Sequence, residues 1–124
     1  MLLPHGTVVA LVDGEKFELF RNTGNEAAPE LTAQDAPRLE VHANGSGHSH
    51  HRPDALHATA AVDWLNRQVA GRKIDNLVVI AAPHTLGEMR AHYNGQLQRA
   101  LLKELPKDLT GRQGHEIVSA LRGR

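Results

Sequence analysis

Cysteine is absent from the chain, so no disulfide forms and no thiolate serves as nucleophile or metal ligand. That absence suits a reducing compartment and predicts a cytoplasmic location. Aromatic residues are scarce: Phe17, Phe20, Trp64 and Tyr93 are all there are. The core must therefore rest on Leu, Val, Ile and Ala. Net charge is also missing, with 14 basic residues against 14 acidic ones. Nucleic-acid binders usually carry a basic excess, since their affinity comes largely from counterion release at phosphates; this chain has none overall, which leaves a local basic face to consider. No apolar run approaches the roughly 18 residues needed to cross a bilayer, which predicts no membrane partner. Met1-Leu-Leu-Pro lacks a basic start and runs into His5-Gly6, so no signal peptide is expected. What is present fits a globular chain: 40% hydrophobic and 23% charged residues in 124, enough for a single domain over 1–124 with one core. Nine histidines make its charge sensitive to pH between about 5 and 8.

The most informative stretch is Asn76-Leu-Val-Val-Ile-Ala-Ala-Pro-His-Thr-Leu-Gly-Glu-Met-Arg90. Residues 77–82 are apolar without alternation, the pattern of a central strand covered on both faces. Pro83 removes a ladder donor and ends the strand. Thr85 and Glu88 stand at capping-box spacing, which predicts a helix start. Leu86, Met89 and Tyr93 follow at helical spacing.

Residues 7–12 read as a second buried strand, Asp13-Gly14 as a turn, and 17–21 as the return strand of a hairpin. Phe20 breaks the alternation, so this strand is expected to bury both faces at its end. Residues 22–37, with Gly24, Pro29 and Pro37, read as an irregular crossing, and 38–42 as a third, edge strand with Leu39 and Val41 on one face. Residues 44–53 cannot bury apolar surface and predict a mobile His/Gly/Ser loop. A helix follows from about 54 to 70, with Pro53 in its first turn and Gly71 ending it.

On that helix Ala58, Ala61, Val62, Leu65 and Val69 form one stripe, and Leu56, Ala60 and Trp64 a second on nearly the opposite side. Residues 96–105 fit a helix through Leu97, Leu101 and Leu105, or a strand through Leu101, Lys103 and Leu105. Thr110 and Gln113 again have capping-box spacing, ahead of a short last helix with Ile117, Val118 and Leu121. The alternation of strands and helices argues for a layered α/β fold.

Two motifs together carry a resemblance. Ala81-Ala-Pro-His-Thr-Leu-Gly-Glu-Met-Arg90, followed by Lys107-Asp-Leu-Thr110, resembles the host-attachment protein family of bacteria. Its members carry an Ala-Pro-Pro-x-x-Leu-Gly-x-Leu-Arg segment and then Lys-Asp-Leu-Thr before a last helix. Val8-Val-Ala-Leu-Val-Asp-Gly14 resembles the family's first strand and turn. His84 replaces a common second proline and Met89 a common leucine. The family is similar in fold to the middle domain of class 1 peptide release factors of archaea and eukaryotes. The resemblance therefore implies a ribonuclease-H-like α/β layout, with a mixed sheet of about five strands and about three helices, and favours a strand over 101–105.

The resemblance also directs attention to the loop before the long helix. In release factors that loop carries Gly-Gly-Gln; here it reads Gly45-Ser-Gly-His-Ser-His-His51, without glutamine, which argues against peptide release by that mechanism. His48, His50 and His51, near His42 and His57, suit Zn, Ni or Cu. A defined site needs fixed ligands, however, and the plainer reading is a solvated loop with adventitious Zn or Ni affinity and no cofactor. Asp13, Asp63 and Asp75 invite comparison with two-metal nucleases, but such chemistry needs carboxylates converging on metals about 4 Å apart. Asp13 has a turn to explain it.

Glu88, Arg90, Lys107 and Asp108 are the charged members of the family-like motifs and are candidates for a common binding surface near the strand ends. The plainer reading gives Glu88 and Asp108 to helix starts and leaves Arg90 solvated. Leu56, Ala60 and Trp64 either pack under residues 22–37 or the last helix, or form a homodimer or partner interface. The function expected is non-catalytic binding or scaffolding near RNA or the ribosome. A metal-dependent hydrolase using the histidine loop and a cell-attachment factor are the alternatives.

Overall fold

The computed structural model describes residues 3–39 and 53–123. Residues 40–52, which include His42, His48, His50 and His51 and most of the expected loop, lie outside them, as do Met1, Leu2 and Arg124. The described residues form five strands and four helices: β1 Val8–Val12, β2 Phe17–Asn22, β3 Leu31–Gln34, α1 Pro53–Ala70, β4 Leu77–Ala81, α2 Pro83–Arg90, α3 Gly95–Ala100, β5 Leu101–Leu105 and α4 Gly114–Leu121. The strands make one mixed sheet in the order β3-β2-β1-β4-β5. β1 pairs antiparallel with β2 and parallel with β4; β5 continues the parallel half.

The centre of the sheet is as the apolar runs imply. All five residues of β1 and all five of β4 are buried. One face of the sheet, through Ala10, Leu19 and Val79, packs on Ala61, Val62 and Leu65 of α1 and on Leu86, Met89 and Leu97 of the two helices after it. The other face, through Val9, Leu11, Phe20 and Ile80, is covered by Ile117 and Leu121 of α4 and by Leu3. Leu19 and Phe20 point to opposite faces and are both buried, so β2 buries both sides at its end.

Three expectations need correction. The third strand is Leu31–Gln34, within the stretch expected as a crossing, while Arg38 and Leu39 lie in no strand. Only Leu31 of β3 is even half-buried, so this edge strand is held by its ladder to β2 and carries no apolar alternation to read. α2 starts two residues before Thr85: Pro83 occupies its first position, and Leu86 N–H bonds the Ala82 carbonyl at 2.8 Å. Proline supplies a helical φ and leaves no free N–H there, so no side-chain cap is used. Residues 101–105 form β5, the strand expected there, and residues 95–100 add a short helix, α3, before it. α4 is capped by Gln113 and Glu116, because Thr110 is engaged elsewhere.

α1 also ends one step later than its glycine suggests. Lys73 N–H reaches the Gln68 carbonyl at 2.9 Å and Arg72 N–H the Val69 carbonyl at 3.1 Å, the paired bonds of a Schellman cap. The residue in the left-handed conformation is therefore Arg72, at φ 60°, and not Gly71. An arginine there carries a Cβ strain that glycine lacks. Arg72→Gly is expected to raise stability by about 0.5–1 kcal/mol in urea unfolding; a loss would show that the guanidinium has a stabilising contact at this turn.

Asn22 is a buried polar hub. Its amide donates to the Leu3 carbonyl at 2.9 Å, and its carbonyl oxygen accepts from Gly24 N–H at 2.9 Å and Glu30 N–H at 3.0 Å. It fastens the N-terminal arm and the turn into β3 to the end of β2. Asn22→Ala strands these backbone groups without partners and is expected to cost about 2–4 kcal/mol in chemical denaturation.

Candidate functional site

In an open α/β sheet, loops leaving the carboxyl ends of parallel strands converge, and ligand sites collect there. The register here brings three such ends together: Val12 lies beside Ala81, and Ile80 beside Leu105. The groups that follow them are Asp13-Gly14, Ala82-Pro83-His84 and Pro106-Lys107-Asp108.

The hairpin turn and the Lys-Asp-Leu-Thr segment are tied directly. Thr110 Oγ1 donates to Asp13 Oδ2 at 3.0 Å, across 97 residues of sequence, and lies 2.7 Å from Asp108 Oδ1. Because a hydroxyl has a single proton, these two contacts alternate in strength or share it. Thr110 N–H also donates to Asp108 Oδ1 at 3.1 Å. On the other oxygen of Asp13, Oδ1 accepts the Glu15 N–H at 2.8 Å and the Lys16 N–H. Gly111 N–H adds a bond to Glu18 Oε1 at 2.9 Å. From α1, His57 Nδ1 lies 2.8 Å from the Asp13 carbonyl. A carbonyl only accepts, so this nitrogen carries the proton.

Burial pushes the Asp13 carboxyl up, but the hydrogen bonds from Glu15, Lys16 and Thr110 outweigh it and hold the group below its ordinary value. A carboxyl depressed in the fold adds stability that is present above the ordinary value of 3.8 and lost as pH falls through the lower folded value.

A second polar cluster joins α2 to β5. Arg90 Nε lies 3.0 Å from Glu104 Oε1 and its terminal nitrogen 2.8 Å from the same oxygen, while Tyr93 donates its hydroxyl to Glu104 Oε2 at 2.9 Å. Burial first, and then this bond, push the Tyr93 hydroxyl far up, so it stays protonated and donating.

The candidate residues divide accordingly. Asp108 enters the strand-end network; Arg90 is exposed, as expected, and also pairs with Glu104. Glu88 is half-buried on α2 and Lys107 is exposed. Asp63 and Asp75 are both exposed, and neither joins Asp13. Trp64 is half-buried and packs edge-on against Phe17 of β2, ring centres 5.5 Å apart, where it borders a hollow shared with Gln34 and Asp35. Leu56 and Ala60 are half-buried too. Among the described residues no group of three or more His, Asp or Glu is arranged to hold a metal ion. No described helix is long and apolar enough to cross a membrane.

Sequence reasoning missed the Asp13–Thr110 link. Its only local sign is Asp108-x-Thr110, a pair that bonds within its own turn.

A sequence model described as "Protein required for attachment to host cells" matches residues 39–121. The chain belongs to the host-attachment family. The match takes in Arg90, Glu104, Asp108 and Thr110, whereas Asp13 lies before it. No curated protein matches the chain.

Replacing Thr110 by valine keeps the shape and removes the hydroxyl. It is expected to cost about 1–2 kcal/mol at neutral pH. Because Asp13 then loses one of the bonds depressing it, the variant should lose less stability than wild type when acidified from 3.8 downward. Thermal melts across that range test this; parallel acid limbs would refute the coupling.

Proposed function

We propose that the chain is a single-domain, non-catalytic binding or scaffolding module of the host-attachment family, which offers its strand-end edge to RNA or the translation apparatus in the cytoplasm. The observation that carries this reading is how Asp13, the carboxylate at the end of β1, is engaged. Both oxygens of Asp13 accept hydrogen bonds, Asp108 is turned onto Thr110, and Glu18 accepts from Gly111. A catalytic carboxylate must keep an oxygen for water, substrate or metal. Both oxygens of Asp13, with one oxygen each of Asp108 and Glu18, instead hold a hairpin against the approach to the last helix.

The same two segments turn cations outward: Lys16 from the hairpin, and Lys107 and Arg112 from either side of Thr110, all exposed. Arg112 is bridged to Glu116 at 3.3 Å, on the surface, where such a pair is weak. A small cationic group of this kind suits contact with a few phosphates without a basic excess over the whole chain. The translation side of this reading rests on analogy, through the resemblance to the release-factor middle domain read from the sequence motifs. Its description favours a second reading, a part in attachment to host cells.

Fluorescence anisotropy with a labelled single-stranded RNA at low salt separates these. Binding should weaken roughly tenfold in a Lys16→Ala, Lys107→Ala, Arg112→Ala variant, with a salt slope flatter by about 2. No binding, or identical curves, would sink the RNA reading. Adhesion of a deletion strain, restored equally by wild type and the triple variant, would favour attachment independent of these cations.

A further inference from the structure

The approach to α4, residues 108–113, is held by carboxylates. Among the described residues, its ties to the first hairpin both end on an acid: Gly111 N–H donates to Glu18 at 2.9 Å, and the Thr110 hydroxyl to Asp13 at 3.0 Å. Asp108 accepts the Thr110 N–H at 3.1 Å. Glu116 accepts the Gln113 N–H at 3.0 Å, which closes the first turn of α4. A hydrogen bond to an ionised acceptor is roughly twice as strong as one between neutral groups. These bonds therefore weaken together as the carboxylates take up protons.

The charges around them act in the same direction. Lys16 faces Asp13 from the hairpin, and His57 of α1 stands at the Asp13 carbonyl. Lys107 flanks Asp108, and Leu11 of β1 lies opposite Glu18. Arg112 is bridged to Glu116, with His115 beside it. Lysine and arginine keep their charge in acid. Neutralising the acids thus leaves this edge with mutually repelling cations. Burial raises the Asp13 carboxyl, but its hydrogen bonds hold it below its ordinary 3.8; the Gln113 N–H holds Glu116 below its ordinary 4.5. Stability from a depressed carboxyl is present above the ordinary value and lost as pH falls through the folded one.

What these ties hold is a thin layer. α4 covers its side of the sheet through Ile117 and Leu121. The opposite layer rests on Ala61, Val62, Leu65, Leu86, Met89 and Leu97, apolar contacts that do not titrate, with Glu104 at its margin. We propose that acid releases α4 as a unit: the last helix leaves the sheet while β1, β4 and α1 to α3 stay folded. Its departure opens the apolar face of Val9, Leu11, Val78 and Ile80. This device rests on the engaged carboxylates and does not depend on RNA binding.

An acid titration of ¹⁵N-labelled protein from about pH 6 to about pH 3, with amide exchange followed residue by residue, tests this. Protection across residues 117–121 should fall at least about tenfold, while that of residues 9–11 and 78–80 holds. Trp64, the single tryptophan, packs on Phe17 in the opposite layer and should keep its emission. An apolar dye should gain fluorescence as the face opens. Asp13→Asn with Glu116→Gln keeps side-chain carbonyl acceptors and removes both titrations. Its α4 should be less protected at neutral pH, and that protection should vary less with pH, with native Trp64 emission as the check on folding. Loss of α4 protection, β1 protection and Trp64 emission at one pH would show a single cooperative unit and overturn the proposal. So would α4 protection independent of pH, or a wild-type pH profile in the variant.

Discussion

β1 has no solvent face. It lies between β2 and β4, every residue in it is buried, and it therefore needs cover on both sides of the sheet. α1, α2 and α3 supply one side; the other is left to a helix of eight residues, α4, with help from Leu3. Burying a side chain such as Ile117 is worth roughly 1.5–3 kcal/mol, and only a few such contacts hold this layer. Its placement must be accurate, and three features secure it. Thr110 pins the incoming chain to Asp13, Gln113 and Glu116 close its first turn, and Gly114 has no side chain where a Cβ would run into the Leu31 carbonyl.

The same economy gives the polar groups at the strand ends a structural part. The three parallel strands finish level, which brings Asp13, Asp108 and Thr110 within bonding distance. In open α/β sheets such an edge commonly collects ligand sites. Here it carries the tie between the first hairpin and the last helix. In the reading proposed above, recognition at this edge falls to the exposed cations around the tie.

Much of the sheet was legible in the chain. Residues 77–82 and 7–12 announce buried strands because burial on both faces demands unbroken apolar runs, and the α1 stripe through Ala58 and Leu65 faces the core as its period requires. What was hidden depends on partners distant in sequence. Leu31–Gln34 is a strand only because β2 offers it a ladder. Thr110 looks like a cap until Asp13 is seen to claim its hydroxyl. Arg90 is exposed as its sequence suggests, but its ion pair exists only because β5 brings Glu104 alongside. Asn22 shows nothing of its role, since the groups it satisfies are backbone atoms of a turn that does not exist before folding.

Gly114 has one more effect, at the margin of the sheet. Thr23 N–H bonds the Glu30 carbonyl, and the register continues by pairing Arg21 with Thr32 and Leu19 with Gln34. Residues 30, 32 and 34 thus turn their backbone groups inward, which leaves Leu31 and Ala33 to face out. The bare α-carbon of Gly114 sits against the Leu31 carbonyl, so within β3 only Ala33 presents an open pair. One residue is too short a template for a neighbouring chain to extend. By coming close enough to seal the second core layer, the last helix also protects this margin of the sheet from edge-to-edge aggregation.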